Sequence, residues 1–150
     1  TFDVSVILNN AEGAVFDKLS LYIRFDPRHI RVVDWDEKNW IKKGINIHDG
    51  FARRRYPFDY HIRNEADNYL GMITYSMGRS LVESFPSGVF AKIRFQALSP
   101  VEKTEVRFVQ NPGSRLPATS VTSAGRELLA PHHFLGEGLG NLNLQINMPR

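Results

Sequence analysis

The side chains with the strongest chemical character fall into four groups. His132 and His133 with Glu137 offer imidazole and carboxylate, ligand types that zinc accepts. Neighbouring residues of an extended chain point to opposite faces, however, and no third ligand stands at a convincing spacing. Asp34, Asp36 and Glu37 could present oxygen ligands to calcium, but their spacing is too loose for a known calcium loop, and a solvated turn is the plainer reading. Arg53-Arg54-Arg55 beside Tyr56 and Phe58 suits phosphate or an anionic polysaccharide. Three arginines give charge without specificity, which a solvated loop explains equally well. Trp35, Trp40, Tyr56 and Tyr60 would form a sugar-binding platform if their rings were exposed and coplanar.

None of these groups makes an active site. The chain has no Gly-x-Ser-x-Gly elbow and no phosphate-cradling glycine loop. It has no cysteine, which removes thiolate catalysis, disulfides and cysteine-based zinc sites. Carboxylates are plentiful, but a glycosidase pair is defined by which ones face each other across a cleft, and spacing along the chain does not reveal that. The residues point to a non-catalytic protein with no cofactor of its own; a calcium ion stabilising a loop stays open.

The elements that must position these side chains are strands. Leu19, Leu21, Ile23 and Phe25 alternate with Ser20, Tyr22 and Arg24, the period of a half-buried β-strand. Asp26-Pro27 stops that strand, because proline donates no ladder hydrogen bond and fixes φ. A second strand restarts at Ile30-Arg31-Val32-Val33, with Trp35 near its end. Phe2 to Leu8 forms a strand closed by Asn9-Asn10 and Glu12-Gly13, and Phe58 to Arg63 forms another, followed by a polar turn from Asn64 to Asn68. Gly71 to Met77 is a strand, and Ser80 to Ser84 has the length of a single helical turn. The cleanest alternation runs through Val89, Ala91, Ile93, Phe95 and Ala97, with Lys92, Arg94 and Gln96 on the other face. Glu105 to Val109 and Leu142 to Ile146 complete the set, and the region between them reads as loop-rich. No long amphipathic helix competes. Eight or nine short strands separated by turns predict an all-β fold, a β-sandwich or jelly roll.

The chain of 150 residues has the length of one domain (1–150), and its 42% hydrophobic content can fill a single core. The abrupt start on strand-like Phe2-Asp3-Val4 reads as a domain cut from a longer protein. A net charge of +3 is low and dispersed for a nucleic-acid binder, so no nucleic-acid partner is expected. No run approaches the roughly 18 apolar residues of a membrane span, so no membrane insertion is expected.

The order of parts resembles the cohesin domain family. The resemblance lies in a first strand of Val-x-Val type, an alternating strand ending in Phe25-Asp26-Pro27, and Ile30-Arg31-Val32-Val33 after it. Gly71-Met72-Ile73-Thr74-Tyr75 is similar to the family's middle strand, and Ser87 to Phe95 to the glycine-led strand that follows it. The resemblance covers roughly Phe2 to Ile146. It implies a jelly-roll sandwich of about nine strands, of a kind shared with carbohydrate-binding modules, that docks a dockerin-like module through one flat sheet face. It also implies that calcium belongs mainly to that partner, and that the domain is displayed outside the cytoplasm or at the cell surface. Two segments depart from the family pattern, the basic, aromatic stretch Trp40 to Tyr56 and the loop-rich Gly113 to Leu139.

Strand parity then selects the expected partner-binding residues. If Ile30 and Val32 enter the core, Arg31, Val33 and Trp35 face out; Met72, Thr74 and Ser76 face out opposite Ile73, Tyr75 and Met77, and Lys92 and Arg94 face out on the glycine-led strand. The resemblance puts all these strands in one sheet, with Trp35 as the anchor, since tryptophan and arginine are enriched at interface hot spots. Two other functions fit the residues: a carbohydrate-binding module using the exposed aromatics on a polysaccharide, and a structural sandwich within a surface or secretion assembly.

Overall fold

Alternation of apolar and polar residues produces two antiparallel sheets packed face to face. The computed structural model describes residues 1–10, 13–38, 43–50, 58–84, 87–109, 118–128 and 142–146. Its strands are β1 (Phe2–Leu8), β2 (Val15–Phe25), β3 (Ile30–Val32), β4 (His48–Asp49), β5 (Tyr60–Asp67), β6 (Met72–Ser84), β7 (Gly88–Ala97), β8 (Val101–Phe108), β9 (Ser120–Ser123), β10 (Arg126–Glu127) and β11 (Leu142–Ile146). The smaller sheet has the order β1-β7-β3, with β4 also paired to β7. The larger has the order β10-β9-β2-β6-β5, and β8 joins it through β2 and carries β11.

The core lies where the inward rows meet. Leu19, Leu21, Ile23 and Phe25 of β2 and Ile73, Tyr75 and Met77 of β6 face Ala91, Ile93 and Phe95 of β7, all buried. Phe90 is buried as well, because a register shift between Val6 and Ile7 places an extra residue on β7 between Val89 and Ala91. Aromatic edges lock the two layers, with ring centroids 5.5 Å apart for Phe25 and Phe95 and 5.3 Å for Tyr75 and Phe90. Each such side chain, fully buried, contributes about 1.5–3 kcal/mol through loss of apolar surface to water.

The corner after β2 moves the chain between sheets, from β2 in the larger to β3 in the smaller. Phe25 is buried, the Asp26 carboxylate accepts the Arg28 amide (3.0 Å), and the Asp26 carbonyl accepts the amides of His29 and Ile30 (both 3.2 Å). The return connection after β5 is equally tight. Gly71 sits at φ 66°, where a Cβ would collide with the Phe25 carbonyl, and its own carbonyl accepts the Phe25 amide at 3.0 Å.

Several elements differ from the sequence expectation. The polar stretch Asn64 to Asp67, expected as a turn, belongs to β5, and the turn follows at residues 68–71. Ser80 to Ser84, expected as a helical turn, continues β6, where Ser84 pairs with Val15. β8 begins at Val101 rather than Glu105, and the passage expected as loop contains β9 and β10.

Polar residues in and beside strands persist here because their side chains stand in for missing strands. The Asn64 amide accepts the Ile47 N–H (2.9 Å) and donates to the Ile47 carbonyl (2.8 Å), pairing with a backbone that belongs to no strand. Asn68 does the same for Val32 at the open edge of β3, at 2.7 and 2.9 Å. The Thr119 hydroxyl accepts the Tyr22 N–H (3.1 Å) and donates to the Tyr22 carbonyl (3.0 Å). It fills the gap along β2 between the stretch paired with β9 and the stretch paired with β8. Satisfying such edge groups removes the templates on which other chains would pair.

Candidate functional site: two outer faces

The expected binding residues divide between two sheets. Arg31, Val33, Trp35, Lys92 and Arg94 are on β3, β7 and the chain just after β3, in the smaller sheet. Met72, Thr74 and Ser76 are on β6, in the larger sheet. The outer faces of a sandwich look in opposite directions, so these residues do not form one surface. The single-sheet expectation is corrected by the pairing: β7 lies between β1 and β3, whereas β6 lies between β2 and β5.

On the smaller sheet the side chains are engaged with one another. Arg94 makes a two-pronged ion pair with Asp3 at 2.9 and 3.2 Å, and Asp3's carboxyl is held below its ordinary pKa by that guanidinium. The same guanidinium lies 4.2 Å from the centre of the Trp35 ring, and His48 packs against that ring with centroids 4.5 Å apart. Arg31 donates to Gln96 at 2.8 Å. Trp35 is therefore half-buried beneath an arginine and a histidine, not displayed as an open platform. Of the other rings proposed for sugar binding, Tyr60 is on β5 of the opposite sheet, and Trp40 and Tyr56 lie outside the described residues.

The larger sheet presents a different surface. Register places its outward residues in rows: Arg63, Ser76, Ser20 and Ser120; Glu65, Thr74 and Tyr22; Tyr60, Gly78, Lys18 and Thr122. Its floor is small and polar. Ser20 and Ser76 are 4% exposed and share a hydrogen bond of 2.6 Å, and Thr74 is 9% exposed. Thr74 and Ser76 thus point outward, as parity predicts, but lie low between larger neighbours instead of protruding. Gly78 completes the floor because the Tyr60 ring covers it, in the space a Cβ would need. Around the floor stand the half-exposed Tyr60, an Arg63–Glu65 ion pair at 2.5 Å, Tyr22 and Lys18. Sequence reasoning missed Ser20, Tyr22, Arg63 and Glu65; the alternation of β2 shows its outward set, but nothing along the chain says which strands flank it.

A latch joins the sheets along one flank. Asp49 of β4 accepts hydrogen bonds from His61 of β5, at 2.9 Å, and from the buried Tyr75 hydroxyl. Burial works against the Asp49 carboxylate, but these two bonds outweigh it and hold its pKa below the ordinary value. Burial lowers the pKa of His48, whose Nδ1 has no partner among the described residues.

No group of three or more metal-ligating side chains occurs among the described residues. Asp34, considered for calcium, accepts the amides of Asp36 and Asn46 at 3.2 and 2.9 Å, which is the chemistry of a turn. His132, His133, Glu137 and Arg53 to Arg55 lie outside the described residues. No described helix is long and apolar enough to cross a membrane.

Comparison with known proteins adds the fold. No protein-family model matches the sequence, and no curated protein sequence matches it. Among solved structures, a type II cohesin dyad from the adaptor ScaA scaffoldin of Acetivibrio cellulolyticus superposes with a TM-score of 0.59 at 16% identity; the match covers 85% of this chain and 40% of that one. A type II cohesin domain from the cellulosome of the same organism gives 0.58 at 14% identity, covering 85% and 78% of the two chains. A chain of a type II cohesin–X-dockerin complex from that organism, an N-terminal interface mutant, gives 0.57 at 17% identity, covering 85% and 81%. The fold is cohesin-like.

Proposed function

We propose that the chain is a non-catalytic interaction module that docks a dockerin-like protein through the outer face of its larger sheet. One observation carries the reading. A flat floor of Ser20, Thr74, Ser76 and Gly78, ringed by Tyr22, Tyr60, Arg63 and Glu65, lies on the fold that type II cohesins share, and one of those is solved with an X-dockerin. Ser20 and Ser76, whose hydroxyls already bond each other, let a partner approach without orphaning buried groups. Tyrosine and arginine around them supply the anchors that interfaces favour, and the charges orient the encounter. By contrast, on the smaller sheet's face Arg94 is already engaged by Asp3 and Trp35, and Arg31 by Gln96. In this reading the domain works outside the cytoplasm, and any calcium belongs to the partner.

The test uses the domain as bait against secreted and membrane fractions of its source, with and without a calcium chelator. Arg63→Glu and Tyr60→Ala should each weaken capture of a small partner module about tenfold or more, the scale of a hot-spot loss. Lys92→Glu, on the opposite face, should leave it unchanged. Loss with Lys92→Glu alone moves docking to the smaller sheet, and retention on insoluble polysaccharide in place of a protein sinks the docking reading.

A further inference from the structure

At the Asp26-Pro27 corner β8 runs on past the end of β2, and a cavity of about 640 Å³ opens between its residues 103–105 and the turn 26–29. Four cationic side chains line it, Arg24, Arg28, Lys103 and Arg107, against two carboxylates, Asp26 and Glu105. Both carboxylates are already committed. Asp26 takes the Arg28 guanidinium at 2.6 Å and its amide at 3.0 Å, and Glu105 takes Lys103 at 3.4 Å. Asp67, two strands away in the same row, accepts the amides of Tyr69 and Leu70.

That leaves Arg24 and Arg107. They are direct register partners on β2 and β8, side by side on the outer face, and neither has an acidic partner among the described residues. Like charges directly opposite each other across a strand pair are destabilising. A sandwich that caps its edges with Asn64, Asn68 and Thr119 has left this pair uncompensated. Local rules are broken in this way where a site is built for a ligand.

We propose that this corner cavity binds a dianionic oxyanion group, with Arg24 and Arg107 taking its charge. Paired guanidinium forks match the geometry of phosphate, sulfate and carboxylate oxygens. Leu70, 62% exposed at the rim, would cover an apolar part of the molecule that bears the group. The site stands on its own geometry whether or not a protein docks on the larger sheet.

The test titrates the full chain with sodium sulfate, sodium phosphate and sodium malonate, each against sodium chloride at equal ionic strength, read by amide NMR and thermal unfolding. Saturable shifts are expected at Arg24 and Arg107, with a rise in melting temperature beyond the chloride control. Arg107→Gln should weaken the saturable response about tenfold or more, the effect of removing a charge-assisted bond. The same variant should melt higher than the parent when no dianion is present, because the arginine pair is relieved. Arg24→Gln is the second variant, read the same way. Saturation by malonate alone assigns the group to paired carboxylates, and saturation by sulfate or phosphate assigns it to a tetrahedral anion; both support the site. Non-saturable shifts equal to chloride, or a saturable response kept in the Arg24→Gln/Arg107→Gln double variant, overturn it.

Discussion

Replacing Asn64 with alanine should destabilise the domain far more than its place in a polar edge strand suggests. The side chain is 8% exposed and makes both bonds to the Ile47 backbone, at 2.9 and 2.8 Å. Ile47 itself is 3% exposed, so truncation strands one buried N–H and one buried carbonyl. Each orphaned group costs about 1–3 kcal/mol, and the two together about 2–6 kcal/mol if no water enters. The measurement is urea unfolding of parent and variant, with the slope m checked so that the midpoint shift reports stability alone. A loss below about 1 kcal/mol at unchanged slope would refute the idea that this amide substitutes for a strand. Asn64→Asp gives an independent reading. It keeps an acceptor for the Ile47 amide but sets an oxygen against the Ile47 carbonyl, so the folded state should favour the protonated acid. Its deficit relative to the parent should therefore shrink as pH falls from 7 towards 4.

Two further outcomes follow from the geometry. Ser20→Ala and Ser76→Ala should each cost about 1 kcal/mol or more by leaving the other hydroxyl buried alone, whereas the double variant should be close to either single; a coupling energy near zero in the double-mutant cycle counts against the 2.6 Å bond. The Arg28 guanidinium and amide hold the Asp26 carboxyl at about 2, below its ordinary value of 3.8. The stability this supplies is complete above about pH 4 and disappears as pH falls through 2, so the gap between parent and Asp26→Asn in unfolding free energy should close over that window, and a gap constant with pH refutes the assignment.

Much of the fold was legible because alternation survives burial. Leu19 to Phe25 and Val89 to Ala97 show their period in the sequence and keep it in the sandwich, and Phe25-Asp26-Pro27 marks the corner it forms. The misread stretch after Arg63 fails for a physical reason. Asn64, Asp67 and Asn68 have the composition of a turn, yet an asparagine amide can replace a backbone neighbour when a distant segment such as Ile47 or Val32 comes alongside. That pairing is invisible until the fold exists. The site was legible only face by face. Parity identified which side chains of each strand look outward, Thr74 and Lys92 alike, but parity does not say which strands are neighbours. The partition between sheets depends on β7 pairing with β1 and β3, a property of topology and not of period.

That topology also dictates when the domain can come into being during its own synthesis. β1 finds its partner in β7, with Phe2 opposite Phe95 and Leu8 opposite Gly88. Strand β1 must therefore wait until β7, which begins at Gly88, has been made before its ladder can close. The β5–β6 pair needs only a short turn and can form at once. Until β7 arrives, Phe2, Val4 and Val6 have no sheet to join, and loop-closure entropy falls due late in a single step. A nascent domain of this kind is most exposed to unwanted pairing at β1, and chaperone attention would be best spent there.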